Sequence, residues 1–268
     1  MNDLRQYLGN DPTLFSLLPH GDALAFARLY RIVSQGLPFL LSDRESCLVG
    51  QSTSADPVWV WTSNDCPAET LEALIASLSG LRELGRLPGV VGKGKLIRLL
   101  ALAFDADPSE MRRLNVYRMD TLRPFEAEGA FVPGSLVPPE TAAELIALLA
   151  ESDGQPLSPA VRREMGVAFS KSADTAAWRA PDGTIASIAT CADIAGRLVD
   201  LHTVVTAEAY RNRGYAKALL TVLCRDALNS GRTPMLYADR DYPPSNAAYL
   251  AVGFSEAAHL YALRFPSK

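Results

Sequence analysis

Between Thr206 and Lys217 the chain reads Thr-Ala-Glu-Ala-Tyr-Arg-Asn-Arg-Gly-Tyr-Ala-Lys, with an apolar run before it and Ala-Leu-Leu-Thr-Val-Leu-Cys after it. These residue types describe a buried strand that ends, a polar turn, and a helix whose first turn contains Gly214 and Ala216. The first turn of a helix leaves backbone N–H groups unpaired and carries partial positive charge. Small residues there let a phosphate approach the backbone, and Arg211, Arg213 and Lys217 add full charges. The predicted ligand is a phosphorylated cofactor. A solvated, arginine-rich turn is the alternative that this stretch alone leaves open. Gly89-Val-Val-Gly92-Lys-Gly94 is a second glycine-rich turn before a helix, but it lacks the Gly-Lys-Ser/Thr ending of a phosphate loop.

The elements that must position the first turn follow from periodicity. Helices are predicted over Glu140–Ala150 and Pro159–Phe169, then strands over Asp174–Arg179, Thr184–Ala192 and Arg197–Thr206. Pro181-Asp-Gly between the first two strands is a hairpin signal. A helix over Arg213–Ser230, a strand over Pro234–Asp239, a short helix over Ser245–Val252 and a strand over Ala258–Phe265 complete the second half. The strand–helix–strand crossover at residues 198–239 makes this an α/β arrangement, and ligands in such sheets bind beyond the carboxyl ends of the strands.

The first half carries helical spacing at Leu4, Tyr7 and Leu8 and again from Leu24 to Ile32. A buried strand is expected at Val58–Trp61, helices over Pro67–Leu81 and Lys95–Phe104, and a strand over Leu114–Met119. Residues 121–139 hold Pro124, Gly129, Pro133, Gly134, Pro138 and Pro139. The expected division is therefore an N-terminal α/β domain at 1–123, a Pro/Gly-rich linker at 124–139 and a catalytic domain at 140–268.

Composition narrows the function classes. Of 268 residues, 48% are hydrophobic and 21% charged, an ordinary globular balance. A net charge of −4 argues against a nucleic-acid binder, whose affinity comes largely from neutralised phosphates. Cys47, Cys66, Cys191 and Cys224 are widely spaced and suggest neither a disulfide framework nor a zinc site. Cys224 lies in a helical pattern beside Leu220 and Leu223 and reads as a small core residue. Neither a charged n-region with an apolar run after it nor a run of about 20 apolar residues is present. A cytoplasmic protein, monomer or homodimer, without membrane or nucleic-acid partners and without a metal, is the expectation.

Two stretches together resemble the GCN5-related N-acetyltransferases (GNAT). Val204, Val205 and Thr206, followed after four residues by Arg211-x-x-Gly214-x-Ala216, are similar to that family's acyl-CoA-binding motif. Ser245-Asn246-Ala-Ala-Tyr249-Leu-Ala-Val-Gly253-Phe254 resembles its second motif, with a tyrosine four residues before Gly-Phe. The resemblance covers residues 158–265. It implies a mixed, splayed central sheet flanked by helices, and acetyl transfer from acetyl-CoA to a primary amine on a small molecule or peptide. Some bacterial members pair a catalytic C-terminal domain with a degenerate N-terminal copy, and the alternation in the first half is compatible with two domains in tandem. In such proteins the first half helps wall the acceptor site, where Trp59 and Trp61 are candidates, although both read more naturally as core.

The resemblance also assigns residues. The pantetheine arm would pair with the backbone of Val204, Val205 and Thr206. The pyrophosphate would lie on the N–H groups of Asn212, Arg213, Gly214, Tyr215, Ala216 and Lys217, beside Arg211. Tyr249 matches the tyrosine that protonates the departing thiolate; a phenol of pKa about 10 is protonated at neutral pH. For the base, Asp200 and His202 are candidates, because the period of two places Asp200, His202, Val204 and Thr206 on one face. Asp239 on the next strand is another. Many members carry an asparagine seven residues before the tyrosine; this chain has Tyr242 there, and Asn246 is the nearer candidate for a cofactor contact. A non-catalytic acyl-CoA-binding module is the main alternative, and a nucleotide- or NAD-binding protein a more distant one, lacking Gly-x-Gly-x-x-Gly.

Overall fold

A computed structural model of the chain describes residues 4–7, 11–35 and 39–265. The chain divides into two compact units. Unit 1 holds the chain up to Val116, with Ala238–Tyr242 and the stretch from Ala257; unit 2 holds Tyr117–Tyr237 and Pro243–Glu256.

Unit 1 begins with a short strand, β1 (Arg5–Gln6), followed by α1 (His20–Ala23), α2 (Ala27–Ser34), β2 (Phe39–Ser42), β3 (Cys47–Gln51), β4 (Val58–Thr62), α3 (Ala68–Glu83), β5 (Gly89–Gly92), α4 (Gly94–Ala103) and the first part of β6 (Met111–Met119). The helical spacing at Leu4 and Tyr7 is overridden. Arg5 and Gln6 pair antiparallel with Ser42 and Leu41, and the Tyr7 N–H donates to Leu40 O at 2.9 Å. Leu8 lies outside the described residues. Gly89–Gly92, expected as a turn, is a fully buried strand. A β-carbon on Gly89 would stand 2.6 Å from Leu263 O, and one on Gly92 2.8 Å from Val60 O. The glycines therefore serve close strand approach rather than chain reversal. Leu74 and Leu78 of α3, Ile97 and Leu100 of α4, and Val58, Val60 and Val90 form the core.

Unit 2 holds the end of β6, then β7 (Ala130–Pro133), α5 (Pro139–Ser152), α6 (Pro159–Lys171), β8 (Thr175–Arg179), β9 (Ile185–Ile194), β10 (Leu198–Thr206), α7 (Tyr215–Asn229), β11 (Thr233–Asp239) up to Tyr237, α8 (Pro243–Val252) and the start of β12 (Phe254–Arg264). The strands run β7-β8-β9-β10-β11. Pairs are antiparallel up to β10, and β10 with β11 is parallel. Pro181-Asp-Gly forms the β8–β9 hairpin, with Gly183 at φ +89°. Ser158 caps α6 by accepting from the Val161 N–H, and Pro159 occupies the first helical position. Leu145, Ile146 and Phe169 of these helices pack on Ala177, Ile188 and Val205 of the sheet.

Candidate active site

The site starts where β10 and β11 part. Leu198, Val199 and Asp200 of β10 pair with Thr233, Pro234 and Met235, and the paired stretch ends there although β10 continues to Thr206. Immediately beyond, β10 bulges. His202 pairs with Thr190 of β9 and Val205 with Ile188, so one extra residue is accommodated between them. Thr203 takes φ +54°. A β-branched residue in the left-handed region costs about 1–3 kcal/mol and persists only where the surroundings fix it, here the ladder on either side.

The bulge corrects one expectation. Asp200, His202 and Val205 face the same side as their partners Ala192, Thr190 and Ile188, whereas Thr206, opposite Ser187, faces the other. The period of two holds only where pairing is one to one. Thr206 Oγ1 donates to Ser187 Oγ at 3.1 Å, and Ser187 Oγ donates to Val205 O at 2.9 Å. Asp200 is fully buried. His202, half-buried, has Nδ1 3.2 Å from Asp200 O.

The turn after β10 passes through a short 3-10 stretch, Glu208–Tyr210, and then through two left-handed residues, Asn212 at φ +63° and Gly214 at φ +82°. Gly214 is the N-cap of α7 and brings no side chain to its first turn; the Ala218 N–H makes the first helical bond, to Gly214 O at 3.0 Å. The N–H groups of Tyr215, Ala216 and Lys217 therefore point off the helix end. A β-carbon on Gly214 would lie 2.3 Å from the Phe125 ring, so any larger residue would have to displace that ring as well as bear the positive φ. The cations are held mostly by rings. The Arg213 guanidinium stands 5.1 Å from the Tyr210 ring centroid and the Lys217 ammonium 3.7 Å from that of Phe125, while Arg211 pairs with Glu208 at 3.6 Å. Tyr210 donates its hydroxyl to Asp182 Oδ2 at 2.5 Å in the hairpin turn. This bond, with the Thr184 N–H, holds the Asp182 carboxyl below the usual carboxylate range. The Tyr215 side chain is buried against Tyr210, leaving only its N–H for a ligand.

On α8, Tyr249 is buried between Tyr117 and Phe254, with ring centroids at 6.0 and 6.1 Å. Asn246 Oδ1 accepts from the Tyr117 hydroxyl at 2.8 Å, and Glu256 Oε1 lies 3.4 Å from the same hydroxyl. Tyr242 is exposed. The structure thus brings Arg211 to Lys217 onto one turn, Asp200 and His202 onto one face, and Asn246 and Tyr249 around Tyr117. Sequence reasoning missed Tyr117, Phe125, Tyr210 and Asp182. Tyr210 stood inside the turn and was readable as a ring beside an arginine; Tyr117 and Phe125 lie far away in the chain and carried no local signal. Burial raises the thiols of Cys47 and Cys224. Among the described residues no group of three or more His, Cys, Asp or Glu is placed to hold a metal, and no helix is long and apolar enough to cross a membrane.

Residues 143–254, which span the parted strands, the turn and α8, match the acetyltransferase (GNAT) family. The chain carries a GNAT acetyltransferase domain. No curated protein matches the sequence. A GCN5-related N-acetyltransferase from Sphaerobacter thermophilus is similar in structure at TM-score 0.64, with 18% identity over 96% of this chain and 93% of that one. A tandem GNAT protein from the clavulanic acid biosynthesis pathway aligns at TM-score 0.59 and 13% identity over 99% of each chain. These full-length likenesses give a two-domain GNAT-like fold. A GNAT-family protein from Novosphingobium aromaticivorans shares 22% identity over 57% of this chain and 63% of its own length, and its TM-score of 0.42 says nothing of the fold.

Unit 1 repeats the parallel strand–helix–strand plan of the GNAT domain without its turn. Val58, Trp59 and Val60 of β4 pair with Val90, Val91 and Gly92, so β5 is matched to its last residue. After β4 the chain reads Ser63-Asn-Asp-Cys-Pro67, with neither glycine nor cation, and Pro67 caps α3. Lys93, in the glycine-rich stretch, is bound to Asp22 at 2.6 Å, and the Trp61 indole donates to the same carboxylate oxygen at 2.8 Å. Trp59 and Trp61 are buried.

Proposed function

We propose that the chain transfers an acetyl group from acetyl-CoA to a primary amine on a small molecule or peptide. The GNAT domain makes acyl transfer the chemistry. The observation that carries the finer reading is the turn itself, a glycine-capped helix end with two cations held on ring faces, directly after a strand that has left its neighbour. These residues fit a CoA thioester. The backbone of Val204, Val205 and Thr206 lies where β10 has parted from β11 and would pair with the pantetheine amides. The N–H groups of Asn212 through Lys217, with Arg211, Arg213 and Lys217, would take the pyrophosphate. Acetyl-CoA supplies the acyl group activated as a thioester.

Proton handling falls to His202 and Tyr249. In the proposed arrangement His202, whose Nδ1 lies 3.2 Å from Asp200 O, is the base that accepts the proton of the acceptor ammonium. Asp200, fully buried at the paired end of β10, suits a supporting role better than contact with the amine. Tyr249 Oη gives a proton to the departing thiolate sulfur, and Tyr117, through Asn246, fixes the side of α8 from which it does so.

Calorimetric titration with acetyl-CoA, followed by thiol release with a panel of amines, tests the reading. Saturable binding that disappears in Arg211→Ala/Gly214→Glu, with thiol release on at least one amine, is the expected result. Binding without turnover on any amine would instead indicate a non-catalytic acyl-CoA-binding module, and no binding at millimolar acetyl-CoA would overturn the proposal.

A further inference from the structure

Phe125 lies outside the residues matched by the family, in the Pro/Gly-rich stretch before β7, yet it sits on the turn. The stretch from Thr121 to Gly129 is fastened to three elements of unit 2. The Arg123 N–H donates to Val252 O at 2.9 Å at the end of α8, the Phe125 N–H to Thr221 Oγ1 at 3.1 Å on α7, and the Trp178 indole of β8 to Glu128 O at 3.0 Å. Two glycines admit it. A β-carbon on Gly253 would stand 2.2 Å from Thr121 O, and one on Gly129 2.1 Å from Arg179 O.

On α7, Gly214, Lys217 and Thr221 are spaced three and four apart and form one ridge. Phe125 lies along it, with its ring against Gly214, its backbone N–H on Thr221 and the Lys217 ammonium 3.7 Å above its ring centroid. A lysine held by a carboxylate would have to exchange that partner for a phosphate. One held on a ring face keeps its full charge and has already lost its conformational freedom, so little ordering cost remains when an anion arrives.

We propose that Phe125 is a positioning residue for phosphate recognition, presetting Lys217 at the turn for the pyrophosphate of a CoA thioester. This rests on the cofactor reading above. The test is a double-mutant cycle on CoA affinity, by calorimetry, with Phe125→Leu, Lys217→Met, their combination, and Phe125→Tyr. Each of the first two weakens CoA binding by about three- to tenfold, the size of a partly desolvated cation–π contact. The combination is no weaker than Lys217→Met alone, and Phe125→Tyr retains wild-type affinity. Should Phe125→Leu fail to fold, Lys217→Met and Phe125→Tyr still read the same contact. If the losses multiply in the combination, or Phe125→Leu binds like wild type, or Lys217→Met does, the positioning role is overturned while the cofactor reading stands. If the wild-type chain does not bind CoA, both fall.

Discussion

At Gly214 two independent constraints meet. The backbone takes φ +82°, where any other residue is strained, and the Phe125 ring stands where a β-carbon would be. At Thr203 the opposite choice is made, a branched residue in the left-handed region, and the bulge it creates turns Val205 to the face of His202. Strain of this kind is retained where the surroundings over-determine it, and here it falls at the opening of the sheet. Tyr249 differs from both, being a buried ring in a well-packed place whose only chemical handle is its hydroxyl. If that hydroxyl delivers the proton to the thiolate, Tyr249→Phe lowers kcat by about 10²–10⁴-fold with the affinity for acetyl-CoA unchanged. Steady-state thiol release beside calorimetry separates the two effects, and an equal loss in both would point to packing instead.

Among the elements, the turn is joined to the β8–β9 hairpin by a chain of contacts from the Asp182 carboxylate to the Tyr210 hydroxyl and from the Tyr210 ring to Arg213. The Asp182 carboxyl is lowered in the folded state, chiefly by that hydroxyl, so its contribution is complete above the unfolded carboxylate pKa and is lost as pH falls through the folded one. Asp182→Asn should therefore show a lower urea midpoint than wild type at pH 7, and the gap should close in acid, below about pH 4. A gap independent of pH would detach the effect from ionisation. The same elements show what the sequence could reveal. The hairpin was legible from Pro181-Asp-Gly, and α7 from its apolar ridge, because both signals are local. Strand β3, buried on both faces, has no alternation to read, and β5 looked like a turn because its glycines serve neighbours remote in sequence. The bulge at Thr203 could not be read at all, since it depends on register against β9. The motif turn was legible as a basic, glycine-containing helix start, but its companion Phe125 makes its backbone contact 96 positions away.

For the molecule as a whole, the two units differ in the turn that follows the first strand of the parallel pair. In unit 2 the parallel pair separates after three residues and a basic, glycine-capped turn follows. In unit 1 the paired stretch is likewise three residues long, but the turn after β4 carries Asp65 and no cation, and Lys93 is already bound to Asp22. Titration with acetyl-CoA should give one site per chain. A stoichiometry of two would mean that unit 1 binds as well.

Neither unit is a continuous length of chain. Unit 1 takes in the stretch from Ala257, and within it Tyr261–Arg264 of β12 pair antiparallel with Gly89–Gly92. During synthesis, then, β5 emerges from the ribosome about 170 residues before its partner, a delay of roughly ten to thirty seconds at ordinary elongation rates. Through that interval the nascent unit 1 holds an unpaired edge of Gly-Val-Val-Gly, the kind of edge that recruits foreign strands. The half that is translated first is the half that is finished last.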